Sequence, residues 1–161
     1  MADIYEVLQR LGIPYRKYDH PPVATVAEAD QHTGRLRGGH SKNLFLRNKK
    51  GNRHYLVTLE SHRAIDLKAL RTVLGEASLS FASPERLNKH LGLLPGAVSP
   101  FGIVNDTEGA VVVVVERGLL RHDPLNFHPN VNTSTLAVSR ADFERFLAES
   151  GNEVRILELP E

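Results

Sequence analysis

Apolar residues recur along the first half of the chain at spacings that predict alternating helices and strands. Thr25 and Glu28 have the spacing of a capping box, and Asp66 and Gly75 are placed to begin and end a helix between them. Polar and glycine residues over 48–52 predict the turn of a hairpin. The expected elements are helices over 4–11, 26–32 and 67–74 and strands over 15–19, 42–46 and 53–59.

The second half begins with helix signals and continues mainly as strands. Ser83 followed by Pro84 predicts a helix start, and Gly92 predicts its end. The consecutive valines of 111–115 are β-branched and lack polar groups, which is typical of a central strand covered on both faces. A turn over 106–109 predicts a hairpin between this strand and the one before it. The expected elements are strands over 79–81, 101–105, 110–116, 134–138 and 154–157, the last at a sheet edge, and a helix that begins near Ser139 with Phe143, Phe146 and Leu147 facing inward.

Helices and strands in mixed order, without an internal repeat or a linker, favour one α+β domain over 1–161. A chain of 161 residues, 41% of them hydrophobic, is long enough to bury a core that is stable alone. We therefore predict a single mixed β-sheet flanked by helices.

The composition excludes several classes of protein. There is no cysteine, which excludes disulfides, thiolate zinc sites and cysteine nucleophiles. The longest purely apolar run, 110–115, is too short to cross a bilayer, and the N-terminal residues lack a signal-peptide pattern. These features predict a cytoplasmic protein without a membrane partner.

Common enzyme signatures are missing as well. The sequence has no nucleophile elbow, Walker loop, dinucleotide fingerprint or His-Glu-x-x-His pair. The eight histidines are scattered, with no pair at i and i+4 on a helix, so we expect no metal site. His128 is the most notable of them because it lies in a segment punctuated by proline, although a surface-loop histidine is the alternative.

The net charge of +1 conceals a basic first half. Residues 1–75 hold 13 Lys and Arg against 7 Asp and Glu, whereas residues 76–161 hold 7 against 12. A cluster within 35–53 could contact a phosphate backbone, and a solvated basic face without a partner is the alternative. No aromatic pattern of an RNA-recognition sheet is present, so a nucleic acid would be bound through its phosphates or its end. The clustered residues are Arg35, Arg37, Lys42, Arg47, Lys49, Lys50 and Arg53.

An irregular stretch over 91–102 reads LGLLPGAVSPFG and separates the predicted helix from the predicted strand. Within it, Gly96 and Pro100 bound a Gly-x-x-x-Pro segment, in which glycine permits close approach to a ligand and proline fixes φ. Such a loop can present amides and carbonyls to a substrate without a catalytic side chain. A rigid connector is the alternative interpretation.

Six segments of the chain combine into a wider pattern. They are HPPV at 20–23, GGHSKNLFL at 38–46, IDLK at 65–68, PGAVSPFG at 95–102, NDT at 105–107 and NFHP at 126–129. Together they resemble the YbaK/ProX family of aminoacyl-tRNA deacylases, over nearly the whole chain. Within this family the chain is most similar to the free-standing prolyl-tRNA editing proteins that clear alanine from tRNA(Pro).

The resemblance implies a fold, an activity and a set of partners. The family fold is one α+β editing domain with a curled mixed sheet, and the activity is hydrolysis of a mischarged aminoacyl-tRNA in the cytoplasm. The implied partner is the acceptor end of tRNA(Pro), with prolyl-tRNA synthetase left open as a second partner and DNA not expected. No metal or organic cofactor is implied.

The resemblance also implies roles for individual residues. Lys42 would hold the terminal adenosine, Asn43 would lie beside it, and His128 would line the amino-acid pocket. The backbone from Gly96 to Pro100 would place the ester and the attacking water. The loop residues in contact with substrate would be Ala97, Val98 and Ser99, and the residues along the tRNA backbone would be Arg35, Arg37, Lys49 and Lys50.

The implied chemistry is physically reasonable because an aminoacyl ester is already activated. Positioning and oriented backbone dipoles can therefore replace a strong side-chain base. A pocket too small for the pyrrolidine ring would accept alanine and spare proline; Val26, Leu44 and His128 are its candidate walls, and the first two are equally interpretable as core. Two alternatives remain: a deacylase for another mischarged tRNA such as Cys-tRNA(Pro), and a non-catalytic module that binds tRNA or a synthetase.

Overall fold

An open mixed sheet of eight strands forms the centre of the computed structural model, which describes residues 2–160. Five α-helices and two 3-10 helices surround it within these residues. The helices are α1 (Ile4–Arg10), α2 (Val26–Thr33), α3 (Leu67–Leu74), α4 (Pro84–Leu91) and α5 (Arg140–Glu149), and the 3-10 helices are Pro100–Asn105 and Arg117–Arg121. The strands are β1 (Arg16–Asp19), β2 (Gly39–Asn48), β3 (His54–Glu60), β4 (Leu79–Phe81), β5 (Val111–Glu116), β6 (Leu125–Phe127), β7 (Ser134–Val138) and β8 (Val154–Leu157).

The strands lie in the order β1-β7-β6-β2-β3-β5-β8, and β4 pairs additionally with β2. β2 is antiparallel to β3 and β4 and parallel to β6, while β3, β5 and β8 are mutually parallel. β7 is antiparallel to both β1 and β6. The prediction of an α+β fold with a mixed sheet is confirmed.

Side-chain caps explain where the five α-helices begin. Each helix is preceded by a residue whose oxygen accepts a main-chain N–H from the first turn, as expected for Asp, Thr and Ser. α3 and α4 end at Gly75 and Gly92, whose φ angles of 75° and 65° are left-handed. The capping residues are Asp3, Thr25, Asp66, Ser83 and Ser139, and the last four were expected from the sequence.

Two apolar clusters cover the two faces of the sheet around β5. Val111, Val113 and Val115 belong to one cluster, and Val112 and Val114 belong to the other. All residues of β5 are buried, because β3 and β8 flank it and both faces are covered. The predictions of a central valine strand and of an edge strand over 154–157 are therefore confirmed.

The predicted strand over 101–105, and with it the predicted hairpin, is wrong. This segment is the 3-10 helix Pro100–Asn105, and β5 pairs in parallel with β3 instead. Proline favours the first helical position, and the Ser99 hydroxyl accepts the N–H of Phe101 at 3.1 Å. The apolar side chains of this segment are buried in a helical turn as they would be in a strand, so the hydrophobic pattern alone did not distinguish the two elements. The sequence also failed to predict β6 and the 3-10 helix Arg117–Arg121.

One edge of β2 changes its partner along the strand. β6 pairs with Gly39 and His40, and β4 pairs with 46–48. Of the residues between them, Phe45 accepts the N–H of Ala82 just after β4, and residues 41–44 have a strand partner only on the β3 side. We call this gap in the sheet edge, formed by residues 41–44, the β2 window.

Candidate active site

A hollow and a smaller recess lie side by side at the β2 window. The hollow has a volume of about 180 Å³ and the recess a volume of about 50 Å³. They form one continuous site because they share five lining residues, Val26, Ala29, Ser41, Asn43 and His128. Lys42, Gly96 and Val98 also line the hollow, and Asn126, Phe127 and Thr135 also line the recess.

Lys42 is the lysine among the residues that line the hollow. Its main chain is held in β2 opposite Leu59 of β3, and its side chain is half-buried. Among residues 2–160 no carboxylate lies within 4.0 Å of its amine. The charge is therefore available for an anionic or oxygen-rich group of a ligand.

Asn43 is oriented by a neighbour on β3. The hydroxyl of Thr58, which is fully buried, donates to Oδ1 of Asn43 at 2.6 Å. This bond assigns the acceptor end of the Asn43 amide to Thr58, so Nδ2 is the end that can donate to a ligand.

The loop that begins at Gly96 contributes two residues to the hollow. Gly96 has a φ of 88°, a left-handed conformation that favours glycine, and it and Val98 line the hollow. Ala97, Ser99 and Pro100 are buried instead. Ala97 and Ser99, which were expected to contact the substrate, therefore line neither the hollow nor the recess.

His128 lies directly after β6, where it borders both the hollow and the recess. Its Nδ1 is 3.0 Å from the carbonyl oxygen of Ser134. A carbonyl can only accept, so Nδ1 carries the proton and Nε2 of the neutral ring keeps its lone pair. Burial lowers the pKa of His128; the bond to the Ser134 carbonyl offsets part of this, and the ring of His20, whose centroid is 6.1 Å away, lowers the pKa further. The ring is therefore a neutral acceptor at pH 7.

Val26 and Leu44 were both candidate walls of the amino-acid pocket. Val26, on the first turn of α2, lines the hollow and the recess. Leu44 lines neither and packs against the apolar cluster on the other face of the sheet. The structure thus supports the core interpretation for Leu44.

Two polar residues of the recess, Asn126 and Thr135, were not predicted from the sequence. The Thr135 hydroxyl is 2.9 Å from Nε2 of His20, and Nδ2 of Asn126 donates to the carbonyl of Gly39 at 3.1 Å. Oδ1 of Asn126 is buried and has no hydrogen-bond partner among the described residues. Their placement depends on β6, which pairs with both β2 and β7, and only the NFHP segment signalled this region.

Comparison with known proteins identifies the family. The sequence model of the family described as "Aminoacyl-tRNA editing domain" matches residues 20–146. The chain belongs to this family. The editing domain is 41% identical over 152 residues to "Prolyl-tRNA editing protein ProX" of Acetoanaerobium sticklandii, across 94% of this chain and 93% of that protein. It is 36% identical over 157 residues to "Prolyl-tRNA synthetase associated domain-containing protein 1" of Danio rerio, across 96% of this chain and 85% of that protein.

A solved structure has the same fold as this editing domain. A crystal structure described as that of a candidate trans-editing enzyme for prolyl tRNA synthetase superposes with a TM-score of 0.72 at 21% identity. The match covers 100% of this chain and 98% of the other.

The basic residues of the editing domain fall into two groups at opposite ends of β2. Arg35 and Arg37 are exposed on the loop before β2, and Asn126 of the recess donates to the Arg37 carbonyl at 3.2 Å. Lys49 and Lys50 are exposed in the turn after β2. A strand of 10 residues separates the two groups, a span of about 30 Å. The groups therefore flank the site from two sides.

Neither a metal cluster nor a membrane helix is found in the part of the chain that the structure describes. No group of three or more His, Cys, Asp or Glu residues within 2–160 has the geometry to hold a metal ion. No helix within the same residues is long and apolar enough to cross a membrane.

Proposed function

We propose that this editing domain hydrolyses the ester bond of mischarged tRNA(Pro), and that alanine is the amino acid it removes. The observation that supports the proposal most is the meeting of Lys42, the Gly96 loop and His128 around one site. Each is a residue that the family resemblance predicted, and they come from distant parts of the chain. The family match supports the reaction class, aminoacyl-tRNA deacylation.

The hollow suits the terminal adenosine and the recess suits the amino acid. Lys42 would interact with phosphate or ribose oxygens in the larger space of about 180 Å³. The side chain of the amino acid would enter the space of about 50 Å³. The ester then lies where the two spaces meet, beside Asn43 and His128.

Hydrolysis at this junction needs a water molecule and a polar environment for the carbonyl. The water oxygen bonds to the ester carbon, the bond from that carbon to the ribose oxygen breaks, and the ribose oxygen takes one water proton. The free amino acid releases the other proton as its carboxylate forms. Fixed main-chain dipoles of the Gly96 loop would stabilise the oxyanion, and the neutral Nε2 of His128 would accept a hydrogen bond from the water or the substrate.

Selectivity would come from size. A proline pocket in a synthetase discriminates weakly against a smaller amino acid, since a missing methylene changes binding by only about 1–3 kcal/mol. A second site that is too small for proline corrects this. Val26, Phe127 and His128 line the recess and would exclude the pyrrolidine ring.

A deacylation panel tests the proposal directly. Purified protein is incubated with labelled Ala-, Cys-, Ser- and Pro-tRNA(Pro), and the initial rates of amino-acid release are compared. We expect rapid release of alanine and little release of proline. Faster release of cysteine would reassign the substrate, and the absence of hydrolysis would favour a non-catalytic tRNA-binding module.

The basic groups give a separate test of the tRNA contacts. If Arg35, Arg37, Lys49 and Lys50 bind the tRNA backbone, raising the salt concentration should lower kcat/KM more for whole tRNA than for a short aminoacylated mimic of its 3′ end. Equal salt dependence for both substrates would remove these residues from the interface. Association with prolyl-tRNA synthetase stays a prediction, and co-purification of the two proteins is its test.

A further inference from the structure

The β2 window exposes main-chain groups as well as side chains. On the β3 side of the strand, the N–H of Ser61 donates to the carbonyl of His40 at 2.9 Å. On the opposite side, the N–H of Ala82 donates to the carbonyl of Phe45 at 2.9 Å. Main-chain groups alternate in direction along a strand, so Asn43, two residues before Phe45, also points away from β3.

The N–H and the carbonyl of Asn43 therefore face the gap between β6 and β4. No strand of residues 2–160 pairs with Asn43 on that side, because β6 pairs only with Gly39 and His40 and β4 only with 46–48. Asn43 also lines both the hollow and the recess. A donor and an acceptor of the main chain thus meet the candidate site at the junction of its two spaces, and main-chain groups left unpaired in this way call for a partner.

An aminoacyl ester carries one acceptor and one donor that can pair with the N–H and the carbonyl of Asn43. Its α-ammonium group is a donor and its carbonyl oxygen is an acceptor, both on a single residue. In the hydrogen-bonded pairs of an antiparallel sheet, two opposite residues exchange both of their main-chain bonds, with Cα atoms about 5.5 Å apart. One residue on the edge of β2 can therefore bind one aminoacyl group through two hydrogen bonds.

We propose that the aminoacyl group of the substrate pairs with Asn43 as a one-residue strand at the β2 window. The Asn43 N–H donates to the ester carbonyl oxygen, and the Asn43 carbonyl accepts from the α-ammonium group. This inference rests on the proposed function and adds the groups that recognise the amino acid.

The arrangement is consistent with the neighbouring residues. Side chains of directly opposite residues in an antiparallel pair lie on the same face of the sheet. The alanine methyl group would therefore lie on the face of the Asn43 side chain, which lines the recess. The N–H of Asn43 would also stabilise the oxyanion that forms when water attacks.

The main-chain donor can be removed without changing the side chain. Replacing Asn43 by its α-hydroxy acid analogue, through suppression of a stop codon, exchanges the N–H for an ester oxygen. The matched control carries the same exchange at Glu108, an exposed turn residue remote from the site whose N–H makes no main-chain hydrogen bond to the other described residues. Both proteins and the wild type are assayed for kcat/KM with Ala-tRNA(Pro), and their Tm values are measured.

We expect the exchange at position 43 to lower kcat/KM about a hundredfold, as the loss of one oxyanion donor does in other enzymes. The Tm should fall by no more than a few degrees, because no described strand pairs with Asn43 on the side that its N–H faces. The Glu108 control should keep wild-type kcat/KM. An unchanged kcat/KM at position 43 overturns the inference.

A second measurement uses only the wild-type protein and so does not depend on the folding of a variant. Acetylation of the α-amine of Ala-tRNA(Pro) removes the ammonium group that would pair with the Asn43 carbonyl. We expect kcat/KM to fall at least tenfold for the acetylated substrate, and an equal rate for both substrates overturns the inference. A wild type that hydrolyses no aminoacyl-tRNA would instead contradict the proposed function itself.

Discussion

Replacing Gly96 with alanine would strain the backbone of the loop without producing a steric clash. A Cβ at this position would lie 3.7 Å from Nδ2 of Asn132 and 3.8 Å from the nearest atoms of Val23 and Ala24, which are ordinary contacts. The φ of 88° is the difficulty, because an L-residue in a left-handed conformation costs about 1–2 kcal/mol. For a chain of this size, that cost lowers Tm by roughly 2–8 °C.

Gly75 provides a matched control. Its φ is 75°, a Cβ there would meet no atom within 4 Å, and it lies at the end of α3, outside the hollow and the recess. Gly75→Ala should therefore lose similar stability and keep full activity. Gly96→Ala can relieve its strain only by rotating the peptide groups that line the hollow. A displacement of about 1 Å at a reacting centre can cost on the order of a hundredfold in rate.

The assay compares kcat/KM for Ala-tRNA(Pro) with Tm for the two variants and the wild type. We expect similar Tm values for both variants and a large loss of kcat/KM only for Gly96→Ala. Equal kcat/KM values for the two variants, with both folded, would show that the loop backbone does not take part in the reaction.

Three further predictions concern single side chains. Lys42→Ala should lower kcat/KM about ten- to hundredfold with little change in Tm, since its amine has no carboxylate partner among residues 2–160; wild-type kcat/KM would remove Lys42 from the site. His128→Ala should enlarge the recess and raise the ratio of Pro- to Ala-tRNA(Pro) deacylation, whereas an unchanged ratio would place the selectivity elsewhere. Burial lowers the pKa of His54 to about 4, and the nearby His90 and Arg86 contribute to this shift. In the unfolded chain His54 therefore binds a proton near pH 6.5, whereas in the folded chain it does so only near pH 4. The contribution of His54 to the free energy of unfolding is then constant above about pH 7 and falls below it, by at most about 2 kcal/mol at pH 5. Urea unfolding at pH 7 and pH 5 should show a smaller loss of stability for His54→Phe than for the wild type, and equal losses would contradict this origin.

Local signals in the sequence predicted helix boundaries well because caps act over a few residues. Asp66 and Gly75 mark the beginning and end of α3, and each acts through bonds within its own turn. The pairing of β5 could not be predicted in this way. Its partners β3 and β8 lie far away in the chain, whereas a hairpin with 101–105 was the local solution.

The candidate site shows the same division. Motifs marked Lys42, Gly96 and His128, all of which line the hollow. Thr135 and the β2 window were not predicted, since both depend on which strands meet the edge of β2. The sequence could not decide whether Leu44 is a pocket wall or a core residue, because the answer depends on which face of the sheet its side chain occupies.

The placement of β8 beside the valine strand has a consequence for synthesis on the ribosome. β5 ends at Glu116, and its outer partner begins only at Val154, about forty residues later in the chain. At roughly 5–20 residues per second, a nascent chain exposes an apolar strand edge for seconds before β8 can cover it. Five consecutive valines with a free edge can pair with other chains. The pairing of β8, the last strand to be synthesised, with β5 therefore also protects the chain from aggregation. A chain truncated before Val154 should accumulate in inclusion bodies even though it contains every residue of the candidate active site.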